Sequence, residues 1–234
     1  MSLPIRLSLS ACALLLTGPF SLGFCAKPDP SVACEFLNSR VVLVGKVVSV
    51  RTVPPHGEEL DGWTYVLSVQ EWFRGPHTKT IEVFTENTSG RFPLDIGKTY
   101  LLFAYPQGGR FTITNCGNSA LLADAEGSVR DLRKIKVPQD AQIEGRISFS
   151  GIPDSGTHVP GIQVLIRSGA RTFKAVSDTD GWFRLHVPPG KYSVEVQPTP
   201  HWNISPYDLS YDDAQKVVAQ RGHCSGVQFI ARPM

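Results

Sequence analysis

Residues 97–122 read GKTYLLFAYPQGGRFTITNCGNSALL. Two apolar runs rich in aromatic and β-branched residues, Thr99–Tyr105 and Arg110–Thr114, flank Gly108-Gly109. That pair supplies the positive φ angles a tight hairpin turn requires. The second run ends at Cys116, and a further apolar segment follows. The hairpin argues for a β protein, and the composition agrees: 21 Gly and 18 Pro punctuate β-branched runs along 234 residues.

Working back from the hairpin, Asp95-Ile96-Gly97-Lys98 leads into it. Thr80–Thr85 reads as a strand behind the turn Arg74-Gly75-Pro76. Trp63–Val69 is another, and Arg40–Val50 (RVVLVGKVVSV) is the strongest. Gly45 in its middle predicts a bulge or tight bend. Five strands in about 80 residues is the count of a five-stranded Greek-key barrel. Past the hairpin, Leu121, Leu122, Ala125, Val129 and Leu132 recur at helical spacing and predict a helix packed on that barrel, with Gly127 a weak point in it.

The start of the chain sets the compartment. Arg6 precedes a mostly apolar run, Leu7–Phe20, of the length of a signal-peptide core, and Ser21-Leu22-Gly23 places small residues at the −3 and −1 positions for cleavage after Gly23. A membrane span needs ~18 unbroken apolar residues, and Pro19 interrupts this run. Leu9-Ser10-Ala11-Cys12 mimics a lipoprotein box, but most of the apolar run lies after the cysteine. The expectation is an exported protein, secreted, periplasmic or at the cell surface, with residues 1–23 removed and no membrane span thereafter. Cys25, Cys34, Cys116 and Cys224 then remain in an oxidising compartment. Four cysteines allow three pairings, and spacing does not choose among them. No two lie at C-x2-C spacing and no His pair accompanies them, which disfavours zinc. Charged residues make up 19% with a net charge of +2, too weak a field for nucleic acid.

The first module, residues 24–137, resembles the netrin-like domain shared by tissue inhibitors of metalloproteinases and many exported bacterial proteins. The resemblance rests on Cys25 and Cys34, RVVLVGKVVSV, LSVQEWFRG, IGKTYLLFAY and GRFTITNC, and spans roughly Cys25–Leu132. It implies an oligonucleotide/oligosaccharide-binding (OB)-type barrel and a Cys25–Cys116 disulfide. In the inhibitors a Cys-x-Cys opens the mature chain, and its first cysteine binds the protease zinc through the terminal amine and carbonyl. Gly23 stands at that position here, and Ser89 stands where its disulfide partner is expected. Inhibition would therefore need cleavage after Phe24, exposing the amine of Cys25.

Residues 138–234 resemble the carboxypeptidase regulatory-like domain, a transthyretin-like sandwich. EGRI at 144–147, VPGIQVLIRSG at 159–169, SDTDGWFRL at 177–185 and VPPGKYSVEVQ at 187–197 carry the likeness. Strands are expected at Gln142–Phe149, Ile162–Arg167, Arg171–Val176, Gly181–Val187 and Lys191–Gln197. Alternation directs Val164, Ile166, Val194 and Val196 inward. A long aromatic and acidic loop (HWNISPYDLSYDD) and a closing hairpin over Ala214–Ile230 complete it. Trp182, Trp202, Tyr207 and Tyr211 are candidate ligand-facing aromatics.

The fold expected is all-β: an OB-type barrel with a packed C-terminal helix, then a small Greek-key β-sandwich. No catalytic, cofactor or metal set emerges. Asp178-Thr179-Asp180-Gly181 opens like a calcium loop but has no Glu at its twelfth position and reads as a strand-connecting turn. The six histidines are scattered, and His223 beside Cys224 fits a disulfide in a turn better than a thiolate nucleophile. The expected function is non-enzymatic binding of an unidentified protein or glycan. Metalloprotease inhibition through Cys25 and carbohydrate binding through the second module are the alternatives.

Overall fold

A computed structural model describes residues 25, 30–57, 60–149, 158–197, 199–207 and 216–234. Residues 1–23, read above as a signal peptide, and Tyr211 lie outside them. The chain is mostly β, with two short helices.

The first half forms one sheet from β1 (Val41–Val53), β2 (Gly62–Arg74), β3 (Thr80–Glu86), β4 (Thr99–Gln107), β5 (Arg110–Thr112) and β6 (Ala120–Leu121). The strand order is β1-β2-β3-β5-β4-β6, and β1 pairs with β4 as well. The β4–β5 hairpin turns at Gly108 (φ 57°) and Gly109 (φ 75°), as its sequence requires. Gly45 sits at a register shift between β1 and β2, and a Cβ there would fall 2.9 Å from Leu43 Cδ1. The runs VVLV and LLFA are continuous because both faces of β1 and β4 are covered. Val41, Leu43, Leu102 and Ala104 face the core shared with Leu67 and Ile113. Val42, Val44, Leu101 and Phe103 face the two helices.

Those helices are α1 (Val32–Asn38) and α2 (Glu126–Leu132). The sequence gives little sign of α1, which spans only seven residues. Its ends are well made. Ser31 Oγ accepts from Cys34 N at 3.2 Å, and Arg74 Nη1 donates to the carbonyls of Phe36 and Leu37 at 2.9 and 2.8 Å. The helix expected after the hairpin is broken: a 3-10 turn at Leu122–Asp124 precedes α2, and only Val129 and Leu132 of α2 are buried.

The second half stacks two four-stranded sheets. One runs β10 (Trp182–Val187), β7 (Ala141–Phe149), β14 (Cys224–Pro233), β12 (Trp202–Pro206). The other runs β13 (Lys216–Ala219), β11 (Gly190–Val196), β8 (Gln163–Ser168), β9 (Arg171–Val176). Val164, Ile166 and Val194 are fully buried between them, and Val196 packs at the margin. The sequence reading needs two corrections here. Trp202–Pro206 is a strand on β14 rather than loop. Residues β13 and β14 do not form a hairpin: the turn between them carries the chain from one sheet to the other, and β14 lies parallel to β7.

Candidate functional site: the seam between the two β units

The four cysteines among the described residues form two bridges. Cys25 joins Cys116, the pair the netrin-like resemblance implied, and Cys34 joins Cys224 across the two halves of the chain. The second bridge sits in a buried seam. Cys34 lies on α1 and Cys224 opens β14, with 2% and 6% of their surfaces exposed. One helical turn beyond Cys34, Asn38 clamps the backbone of Cys224 from both sides. Its Nδ2 donates to the Cys224 carbonyl at 2.8 Å, and its Oδ1 accepts from the Cys224 N–H at 3.0 Å. A side-chain amide can do this because it carries a donor and an acceptor side by side, matching the two groups of an exposed strand edge.

The seam also contains a buried carboxylate. Glu144 of β7, 2% exposed, accepts from Ser31 N at 2.9 Å and Ser31 Oγ at 2.5 Å. Its second support is Arg184 of β10, whose Nε lies 3.0 Å from Oε2. A buried charge held by a cation and a helix N-cap is tolerated, whereas one stripped of its partners is costly. Gln142 extends the network. Its Nε2 reaches Glu144 at 3.5 Å and Cys224 Sγ at 3.7 Å, while His186 Nε2 approaches its Oε1 at 3.3 Å. The ligand atoms of Cys34, Glu144 and Cys224 lie within 4.8 Å of one another. With both sulfurs committed to the disulfide, this trio does not present thiolates to a metal.

A second buried carboxylate fixes the other bridge. Glu35 of α1 accepts from Tyr105 Oη at 2.8 Å, Asn118 N at 2.6 Å and Asn118 Nδ2 at 2.7 Å. Gly117 is obligatory beside it, since a Cβ there would sit 2.4 Å from Glu35 Oε1. Burial, and then the charge of Glu35, push the Tyr105 phenol well above its ordinary range. The α1 segment, residues 116–118 and the Cys25–Cys116 bridge are thereby tied together.

The aromatics singled out in the sequence do not share a platform. Trp202 pairs with Pro233 on the core side of β12 and meets Phe149 edge-on at 5.7 Å. Trp182 lies on the opposite face of the same sheet, with the guanidiniums of Arg146 and Arg184 over its ring at 5.1 and 5.5 Å. Tyr207 is half-buried, its N–H bonded to the Gln228 carbonyl. The Asp178–Gly181 stretch is a turn: Asp178 Oδ1 accepts from Asp180 N and Trp182 N, and Gly181 takes φ 74°. Cys224 is bridged, so the adjacent His223 activates no thiolate.

No family model matches the sequence, and neither does any curated protein. Likenesses among solved structures are low-scoring. One is the Bacillus anthracis TIE protein, at TM-score 0.32 and 9% identity over 84% of this chain and 35% of that one. The chain thus spans about a third of that protein's length. Another is the major pilin protein (T-13) from Streptococcus pyogenes, at TM-score 0.20 and 8% identity over 84% of this chain and 91% of that one. Both scores lie below the level at which two chains share a topology. Among the described residues no helix is long and apolar enough to cross a membrane.

The partners that make the seam were not legible as a motif. Ser31 and Glu144 stand 113 residues apart, and Asn38 and Cys224 stand 186 apart. The one available signal was the even number of cysteines left once Cys12 is assigned to the leader.

Proposed function

We propose that the chain is an exported, non-enzymatic binding protein whose two β units, netrin-like and transthyretin-like, are locked into one rigid body to present a partner-binding surface. The observation that carries this reading is the seam. A disulfide, a two-way amide clamp and a buried Glu144–Ser31–Arg184 cluster are spent on fixing one unit against the other. Rigid presentation lowers the entropy lost on binding. The chemically capable groups among the described residues serve the fold in the same way, Glu35 and Glu144 as buried acceptors and all four mature cysteines as bridges.

The pairings β1–β2, β2–β3, β3–β5, β5–β4 and β4–β1 return to their starting strand. That succession is what closure of a five-stranded OB-type barrel demands, and the Cys25–Cys116 bridge fits the same family. Two disulfides accord with an extracytoplasmic site of action.

Crosslinked capture from cell-surface proteins and a glycan array, each run with the oxidised protein and with a C34A/C224A variant, test the reading. Capture is expected in at least one assay, weakening in the variant where the partner spans both units; no partner in either assay overturns the reading. The metalloprotease-inhibitor alternative is decided separately, since N-terminal sequencing that finds Phe24 or an earlier residue first removes the required Cys25 amine.

A further inference from the structure

The two sheets of the second unit differ in what lies outside them. The outer face of β10-β7-β14 carries Gln142, Glu144 and Cys224 and is partly consumed by the seam. The outer face of β13-β11-β8-β9 carries several exposed side chains, although Leu165 within it is buried. Register defines its surface. Lys216 pairs with Ser193, Ser193 with Arg167, and Arg167 with Thr172, forming one row across the sheet. Lys191 lies in the row on one side, and Glu195, Leu165 and Lys174 form the row on the other. Lys191, Lys216, Arg167 and Lys174 are all exposed.

Among the described residues, Glu195 is the one acid on this face. It pairs with Arg167 at 3.5 Å, with both side chains nearly half exposed. A pair so open to water is weak and leaves most of the guanidinium fork available. Four cations against this one acid make the face positive among the described residues, while the whole chain nets only +2. Ser193 lies between two cations, with a third along its own strand. Strand spacing puts Lys216 and Arg167 about 5 Å to either side of its backbone, with Lys191 about 7 Å along the strand.

We infer that this face is a docking surface for a linear polysaccharide bearing sulfate or carboxylate groups; the inference rests on the binding-protein reading above and names its ligand class. Charge complementarity selects a polyanion and disfavours a second copy of the same basic face. The distribution of apolar groups argues against two other anionic partners. Val218 and Val176 sit on opposite edge strands, Leu165 between them is buried, and no aromatic side chain of these strands points outward. A lipid surface is held by cations together with apolar insertion, and a protein partner needs aromatic or Arg anchors in pockets. A polymer with a repeated charge needs only the grid of cations.

The test uses the oxidised full chain with immobilised heparin as the sulfated probe and polygalacturonate as the carboxylated one. Neutral dextran and phosphatidylserine-containing vesicles are the comparison arms. Binding to at least one polyanion and not to dextran is expected. K191E/K216E should weaken it by about 30-fold at low salt, from the contribution per cation typical of polybasic segments. Neutralising both lysines to Ser should flatten the log–log salt dependence by about two units, one per released counterion. Lys98→Glu, an exposed cation on the first unit, should leave binding unchanged. No polymer binding at low salt, an equal loss with Lys98→Glu, or binding to the vesicles alone overturns the inference. None of those outcomes touches the protein-capture arm, so the broader binding reading fails only if that arm is also empty.

Discussion

Cutting the Cys34–Cys224 bridge with a C34A/C224A pair leaves Cys25–Cys116 and both β cores intact and so isolates the seam. The bridge closes a loop of 190 residues. In the chain-entropy model such a loop contributes about 5 kcal/mol at 25 °C, and measured losses on removing native disulfides run about 2–5 kcal/mol. The logarithm in that model makes the value insensitive to the shortcut the other bridge provides through the loop. What then holds the units together is non-covalent. The Asn38 clamp supplies two hydrogen bonds of about 1 kcal/mol each, and the contacts of Ser31 with the Glu144 carboxylate supply about 1.5 kcal/mol each or somewhat more. Together they amount to about 5 kcal/mol. Against this stands the cost of docking two tethered bodies. A short linker gives an effective concentration in the millimolar range, equivalent to about 4 kcal/mol. The margin left is about 1 kcal/mol, so a measurable fraction of the variant should be undocked at room temperature.

Calorimetry reads this directly. The oxidised wild-type protein should unfold in one cooperative transition. The variant should show two, with the weaker unit falling by at least about 10 °C, since about 1 kcal/mol shifts the midpoint of a domain of roughly 100 residues by about 4–8 °C. Amide exchange at residue 224 and at the Asn38 side chain should accelerate by at least about tenfold. A variant that keeps a single transition within ~2 °C of wild type would refute the reasoning, because the two units would then be coupled by something other than this seam.

Three further outcomes are expected. Gly145→Ala places a Cβ 2.3 Å from Phe183 Cζ and 2.7 Å from Val227 Cγ2. It should cost at least about 2 kcal/mol in urea unfolding, and a loss under 0.5 kcal/mol would contradict the packing. Glu35→Gln turns an amide NH2 toward the donors of Asn118 and should cost about 2–3 kcal/mol. Glu71→Gln, which breaks the exposed pair with Arg133 at 2.7 Å, should cost under about 1 kcal/mol, and equal losses would disprove the distinction between the two carboxylates. Because burial and then Glu35 raise the Tyr105 phenol, the folded chain keeps a proton that the unfolded chain releases above about pH 10. Stability should therefore be retained below that pH and fall as pH climbs past it. Urea midpoints of Tyr105→Phe should decline less steeply there than those of wild type, whatever the offset at neutral pH; parallel declines would rule out Tyr105 as the source.

What could be read in the chain without coordinates was whatever repeats locally. β1 and β4 announced themselves because both faces are buried, which leaves VVLV and LLFA unbroken by polar residues. Val164, Ile166 and Val194 were assigned inward by simple alternation. Elements too short to repeat their period more than about twice escaped. The α1 helix has less than two full turns on which to show an apolar stripe, and its best mark, Ser31 as N-cap, is shared with any turn. Trp202–Pro206 looked like loop because only the register with Ala231 and Pro233 reveals that its alternate residues face a core.

Long-range pairing accounts for the rest. Alternation says that Lys191, Ser193 and Glu195 lie on one face of a strand, but not that Lys216 and Arg167 flank Ser193 from two other strands. Likewise Asn38 and Glu144 are unremarkable until β14 is laid parallel to β7 and delivers Cys224 beside them. The same arrangement separates the two roles of the second unit. β7, β10 and β14 supply the seam, and the outer face of β8, β9, β11 and β13 holds four exposed cations against one acid among the described residues. A partner bound on that second face leaves the seam unmodified. Loosening the seam should then weaken binding only where a ligand spans both units, while reversing Lys191 and Lys216 should weaken it with the seam intact. Opposite behaviour of these two variants would show that the binding surface lies across the junction rather than on the outer sheet.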